Sequence, residues 1–270
     1  MSAGAILWPA EAIWEAVSPM LPDFTVEVLP QMDSTNTELM RRARAGRMEP
    51  VLLVAEQQTA GRGRLGRDWH SQAGESLTFS LGLPLTPLNW SGLSLAVGAS
   101  VAESLHADIR LKWPNDLWLS GHKGERKLAG ILIETASFGD QRYAVIGVGI
   151  NITPRDALRL STPPAWLQEV LPTVDAPQAL LRLAAPLVQT VQAFEALGFA
   201  PFQARFNARD VLRDREVTLS DGKGGVTRGS AHGVSETGAL LVHTAVGMKQ
   251  ITSSEVSVRP LNAPVDPAAA

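Results

Sequence analysis

Residues 61–82 read GRGRLGRDWHSQAGESLTFSLG, and the residues after the glycines decide the fold. Gly61, Gly63 and Gly66 match G-x-G-x-x-G, the spacing of a dinucleotide-binding turn. In that turn the glycines open a helix whose N-terminus faces a pyrophosphate. Here a second glycine turn at Gly74 comes next, and then the strand-like ESLTFSLGLP, with no amphipathic helix between them. The context of a doubly wound parallel sheet is therefore missing. A P-loop needs Gly-Lys followed by Ser or Thr, and Gly222-Lys223 is followed by glycine. A protein kinase also sets a glycine loop between strands, but the chain has no His-Arg-Asp or Asp-Phe-Gly element. What remains is a loop between strands that carries Arg62, Arg64 and Arg67. Glycines let a backbone close over a ligand, and arginines offer bidentate donors to phosphate or carboxylate. Trp69 adds a flat surface for stacking on a base. Read alone, the loop is also compatible with a solvated surface turn.

The flanking segments predict an α+β fold. FTVEVLPQM and PVLLVAEQQ read as strands on either side of the helix NTELMRRARAGR. That helix points Leu39, Met40 and Ala43 inward and leaves Arg41, Arg42, Arg44 and Arg47 as a solvated face. A short helix near the start sets Ile13, Trp14 and Val17 on one side. SGLSLAVGASVAESLHA carries Leu93, Val97, Val101 and Leu105 on one helical stripe, with Ser91 as the expected N-cap. DIRLKWPNDLWL reads as a strand that ends at Pro114. KLAGILIETA and RYAVIGVGINIT flank SFGDQ, the pattern of a hairpin. A proline-rich connector, 161–178, precedes a long helix over about residues 178–198. From about residue 211 the texture changes to short strands with glycine-rich turns. The expected organisation is a 1–208 unit with a mixed, largely antiparallel sheet packed with helices, a 209–262 SH3-like all-β barrel, and a frayed tail over 263–270.

Composition excludes several function classes. The chain has 270 residues, 45% apolar content, a net charge of −3 and no cysteine. It is long enough for a sizeable core and not basic enough to coat nucleic acid or an anionic membrane. Without cysteine there is no disulfide framework, thiolate metal site or thiol nucleophile. No basic n-region or membrane-length apolar run is present, so a cytoplasmic location is expected.

Other polar clusters share the apolar segments. Lys112, Asn115 and Asp116 bracket a proline in KWPNDLW, which would otherwise be an exposed turn with an Asx cap. Lys127 stands at the mouth of the apolar LAGILIE, where a lysine can simply snorkel. DSTN, residues 33–36, can serve as a helix N-cap. Asn151 ends the apolar run AVIGVGIN. Taken in order, DSTN, EQQTAGRGRLGRDW, KWPNDLWL, RKLAGILIE and GVGIN closely resemble the biotin protein ligases, strongly over about residues 31–152. The resemblance continues weakly through GALLV and EVSVR.

That resemblance implies formation of biotinyl-5′-AMP from biotin and ATP, then transfer of biotin to one lysine of a biotin carboxyl carrier protein. It assigns Ser34, Thr35, Asn36 and Gln58 to biotin, and Arg62, Gly63 and Arg64 to a lid over biotin and its adenylate. Arg67 would assist with phosphate, and Trp69 would pack on adenine. Lys112 would stand beside the α-phosphate, and Lys127 at the biotin carboxyl and phosphate, with Lys123 a nearby competitor. Asn115, Asp116 and Asn151 fall in the nucleotide part. Carboxylate attack on ATP brings anions together, so Arg62, Arg64, Lys112 and Lys127 are expected to offset charge, with Mg²⁺ on the leaving pyrophosphate. Asp116 would order that metal or receive the carrier lysine's proton. Glu255 and Arg259 would contact ATP or the carrier. Only about 30 residues precede DSTN, too few for the winged helix-turn-helix of long family members, so no operator binding is expected. The family includes monomers and homodimers. The competing readings are a lipoate-type acyl ligase and a nucleic-acid-binding module.

Overall fold

The computed structural model describes residues 6–154, 162–220, 225–252 and 257–260. The predicted tail over 263–270 and Glu255 lie outside these residues. In chain order the first part runs α1 (Ala10–Val17), β1 (Thr25–Met32), α2 (Thr35–Arg44), β2 (Val51–Gln58), β3 (Ser76–Pro84) and α3 (Leu93–Leu105). It continues through β4 (Ile109–Lys112), β5 (Asp116–Gly121), β6 (Gly124–Phe138), β7 (Gln141–Asn151), α4 (Ala176–Leu197) and α5 (Gln203–Asn207). The last part holds β8 (Glu216–Ser220), β9 (Val226–Val234), β10 (Leu240–Thr244), β11 (Gly247–Ile251) and β12 (Ser257–Pro260).

β1 to β7 form a seven-stranded sheet in the order β1-β2-β3-β7-β6-β5-β4. The β1–β2 pair is parallel, because α2 provides the crossover that parallel neighbours require. The other pairs are antiparallel. β6 and β7 form the long predicted hairpin, in register from Phe138↔Gln141 to Ala129↔Ile150. β8 to β12 make a second, wholly antiparallel sheet in the order β11-β10-β9-β8-β12.

The faces of the large sheet differ. Leu77, Phe79 and Leu81 of β3, Ile131 of β6, and Ile146, Val148 and Ile150 of β7 join α1, α3 and α4 in the main core. That core runs without a break into the second sheet through Val217, Leu219, Ala231 and Val242. α2 covers the opposite face with a smaller cluster of Leu39, Met40, Ala43, Val51, Leu53, Tyr143 and Val145. Hydrogen bonds tie the sheets together. Trp113 Nε1 donates to the Gly238 carbonyl at 3.1 Å, and Gln203 Nε2 donates to Val234 O at 2.7 Å.

Several expectations need correction. Ser91 does not cap α3: the N-cap is Gly92, at φ 85°. A side chain at Gly92 would run into the Phe199 ring, so both backbone and packing favour glycine. Trp14 does not point inward with Ile13 and Val17, and is 49% exposed. Neighbouring helical positions diverge by about 100°, and its Nε1 instead donates to the Phe24 carbonyl at 3.1 Å. Arg42 is not on a solvated face: it pairs with Glu27 at 2.7 Å and Glu38 at 2.8 Å. The strand that leads to Pro114 ends at Lys112, and DLWL, read as part of the same segment, instead pairs back on β4 as β5 (Asp116–Gly121) after a turn.

Candidate active site

Side chains alternate along a strand, so the cleft face of β3, β7 and β6 carries the residues between the core positions. These are Ser76, Thr78, Ser80 and Gly82 on β3, Gly147, Gly149 and Asn151 on β7, and Gly130, Leu132 and Glu134 on β6. The glycines set the depth of the cleft. A Cβ at Gly149 would overlap the Trp69 indole, and one at Gly147 would overlap the Asn36 amide. Trp69 thus lies flat on a glycine floor, and its buried Nε1 has no hydrogen-bond partner among the described residues.

The glycine-arginine loop carries its own hydrogen bonds. Trp69 N donates to Gly61 O at 2.9 Å and Gly63 N donates to Arg67 O at 2.7 Å, so the backbones of Arg62 and Asp68 pair as one antiparallel rung. Leu65 and Gly66, both at positive φ, turn the tip. Arg62 Nη2 donates to both Glu134 oxygens, at 2.9 and 2.8 Å, and Arg64 Nη1 donates to Asn115 Oδ1 at 3.3 Å. Arg67 is exposed.

Two polar groups meet beneath the loop. The first is a buried chain of neutral groups. Ser34 caps α2 by accepting from Thr37 N at 3.4 Å, the ordinary structural role of DSTN. Thr35 N donates to Gln58 Oε1 at 2.8 Å. Ser80 Oγ lies 2.7 Å from Thr35 Oγ1 and 2.6 Å from Asn36 Oδ1. Asn36 Nδ2 donates to Glu134 Oε2 at 2.9 Å and to Leu132 O at 3.2 Å.

The second group is charged. Lys127 Nζ pairs with Asp116 Oδ1 at 2.6 Å. Lys112 Nζ stands 5.1 Å from the Trp118 ring centroid. Burial is the largest influence on Lys112 and pulls its pKa below the ordinary lysine range. Asp116 opposes that fall, while Lys127, Arg67 and Arg259 add to it. Arg64 is lowered by burial too, with Asp116 pulling the other way and Arg67 adding to the fall. Cations thus crowd around Asp116, and an incoming anion relieves their repulsion.

The turn holding Asn115 is clamped rather than loose. Ser94 Oγ donates to Pro114 O at 2.9 Å, and Asn115 Nδ2 donates to Ile131 O at 2.7 Å. Asn151 Nδ2 donates to Ala165 O at 2.9 Å and to Lys127 O at 3.3 Å, which holds the backbone of Lys127. Lys123 lies elsewhere, 3.8 Å from Glu169 and over Trp166, and does not compete with Lys127. Sequence reading overlooked Ser80, Glu134, Gly130, Gly147 and Gly149. The signal for Ser80, Gly147 and Gly149 was present in the alternation of S-x-T-x-S in SLTFS and G-x-G in GVGIN. Polar and glycine residues at every second position of otherwise apolar strands mark a face that is buried but not core.

Residues 28–151 match the biotin/lipoate A/B protein ligase family, and 214–259 match the biotin protein ligase C terminal domain. The chain is 37% identical to the bifunctional ligase/repressor BirA of Salmonella typhimurium over 91% of its own length and 78% of that protein's. It is 31% identical to the biotin–[acetyl-CoA-carboxylase] ligase of Paracoccus denitrificans over 85% of this chain and 98% of the relative. The solved biotin protein ligase of Aquifex aeolicus in complex with biotin and ATP superimposes with a TM-score of 0.73 at 31% identity, covering 87% of this chain and 98% of that one. A glycine-floored cleft of clustered cations, carried on a chain so extensively similar to these proteins, places it in the biotin/lipoate A/B protein ligase family, among the biotin protein ligases.

Proposed function

We propose that this cleft activates biotin with ATP and passes it to a lysine of a biotin carboxyl carrier protein. The observation that carries this reading is the meeting of two environments under one loop. The neutral chain of Thr35, Asn36, Gln58 and Ser80 suits a ureido ring with fixed donors and acceptors. The adjacent cations, Lys112, Lys127 and Arg64, suit a carboxylate meeting a triphosphate.

In the first step a biotin carboxylate oxygen attacks the α-phosphorus and pyrophosphate leaves. Lys112 and Lys127 offset the charge that gathers there, and Arg62 and Arg64 lie on the loop above. Trp69 is the flat surface for the adenine. In the second step the carrier lysine's amine attacks the acyl carbon and AMP leaves. A closed loop excludes water from the mixed anhydride between these steps. Asp116 holds Lys127 through their ion pair in both steps.

Mg²⁺ belongs to the nucleotide in this scheme. Among the described residues no group of three or more His, Cys, Asp or Glu could hold a metal. Mg²⁺ commonly rides on substrate phosphates with one or two carboxylates, and Asp116 is the cleft carboxylate that fits. When bound, it would neutralise the leaving pyrophosphate. We place the boundary between the two units near residue 209, with Arg259 of the second sheet adding to the cationic field at Lys112. No described helix is long and apolar enough to cross a membrane, and we assign the reaction to the cytoplasm. The nucleic-acid reading loses support because Arg41 and Arg42 are engaged by Asp33, Glu38 and Glu27.

The test is incubation of the protein with biotin, MgATP and a biotin carboxyl carrier domain, followed by the mass of the carrier. An ATP-dependent gain of one biotinyl group supports the reading. Transfer of lipoate in its place moves the pocket assignment, and transfer of neither acid refutes it.

A further inference from the structure

We propose that Glu134 is a positioning residue that sets the hydrogen-bond direction of the biotin pocket and docks the arginine loop. The inference rests on the biotin reading of the cleft. It joins contacts that no single motif predicts, because Glu134 lies on β6, Asn36 on α2 and Arg62 on the loop after β2.

A carboxylate accepts hydrogen bonds and does not donate them. Glu134 Oε2 and the Leu132 carbonyl both face the Asn36 side-chain nitrogen, at 2.9 and 3.2 Å. Two acceptors on that side fix the amide, so its oxygen faces Ser80 Oγ at 2.6 Å. The Ser80 hydroxyl has one proton, and Asn36 takes it. The Thr35 hydroxyl then spends its own proton on one of two acceptors, Gln58 Oε1 at 3.2 Å or Ser80 Oγ at 2.7 Å. One carboxylate thereby decides which groups of the pocket accept. Thr35 Oγ1 keeps its lone pairs for a ureido N–H. The chain from Asn36 through Ser80 to Thr35 is buried, so its polarity is not averaged by water.

The same carboxylate holds the loop without consuming it. Both bonds from Arg62 come from Nη2. Nη1 and Nε are not used by Glu134 and can meet an anion. Arg62 is thus docked by one corner of its fork.

Two measurements judge the proposal, and only one needs biotin. Trypsin cleaves after Arg62, Arg64 and Arg67, so nicking of the ligand-free protein reports on loop docking. Glu134→Ala is expected to speed cleavage at Arg62 about 10-fold, the scale of a lost charge-assisted hydrogen bond. A wild-type cleavage rate overturns the docking. In biotin-dependent ATP–pyrophosphate exchange, Glu134→Ala should raise the biotin KM roughly 10- to 30-fold while the ATP KM moves less than about threefold. Glu134→Gln keeps an accepting oxygen and should raise the biotin KM only about three- to fivefold. A merely structural role would raise both KM values together and lower Tm. An unchanged biotin KM in Glu134→Ala overturns the assignment. If the wild type catalyses no biotin-dependent exchange, the biotin reading fails, and the tryptic measurement still decides whether Glu134 docks the loop.

Discussion

The two faces of the seven-stranded sheet are built from the same strands and do opposite work. On β3, Leu77, Phe79 and Leu81 are fully buried against helices, while Ser76, Thr78 and Ser80 between them are buried against the cleft. On β7, Ile146, Val148 and Ile150 alternate with Gly147, Gly149 and Asn151. Both sets are inaccessible to solvent, so burial by itself does not tell core from site. The core face gains from apolar area and close packing. The cleft face forgoes that gain to hold hydroxyls, amides and bare backbone where a ligand needs them.

Substitutions on the two faces should separate stability from chemistry. The largest effect is expected on the core side: Phe79→Ala should cost about 3–5 kcal/mol of folding free energy, read by denaturant unfolding. Activity per folded molecule should survive, and loss of activity without loss of stability would break the comparison. On the cleft side, Gly149→Ala pushes on the Trp69 indole and should lower kcat/KM for biotin activation about 100-fold, the cost of displacing a site by about an ångström. Its Tm should stay near that of the wild type, and a large fall in Tm would make Gly149 a core residue.

Replacing the cleft cations sharpens the same contrast. Arg62→Ala, Arg64→Ala and Lys112→Ala should each cost roughly 1.5–3 kcal/mol in adenylate formation or binding, as lost charge-assisted hydrogen bonds. Undiminished ligation by all three would remove the lid and charge-offset assignments. Lys112 also gives a pH test. Its lowered pKa means that it loses its positive charge at lower pH than an ordinary lysine. The activation rate should fall on the alkaline side before an ordinary lysine would titrate, and Lys112→Arg should flatten that limb.

The smallest effect is expected away from both faces. Asp210 sits where residues 209–211 run beside the β4 edge. Leu111 N donates to Arg209 O, and Val211 N donates to Leu111 O, each at 2.9 Å. Its Oδ1 accepts from Leu212 N, and Oδ2 has no partner among the described residues. Burial pushes its pKa up to about 6. A carboxyl raised on folding binds its proton more tightly in the native state, so stability falls as pH rises from the unfolded value through about 6. Asp210→Asn removes that burden and should stabilise the protein by about 1–2 kcal/mol at pH 7. The gain should vanish below pH 4, and a loss at pH 7 would show that the charge has an unseen partner.

Sequence alone determined most of the elements, because their signals are local. The β6–β7 hairpin follows from two apolar runs around SFGDQ, and α2 from its apolar stripe. The helix over 176–197 begins at Asp175, whose carboxylate accepts from Gln178 N at 2.8 Å. Family motifs likewise pointed to the cleft residues, since cationic chemistry demands particular side chains whatever holds them. Which elements would cover the two faces of these strands was not decided locally, because alternation separates the faces without naming what packs on them. Tertiary structure decided it by laying α3 and α4 on one face, and α2 with the loop on the other. It also decided that Glu134 joins Arg62 and Asn36 from 72 and 98 residues away. No window of neighbouring residues contains that contact. Chain folding alone brings the carboxylate to its two donors.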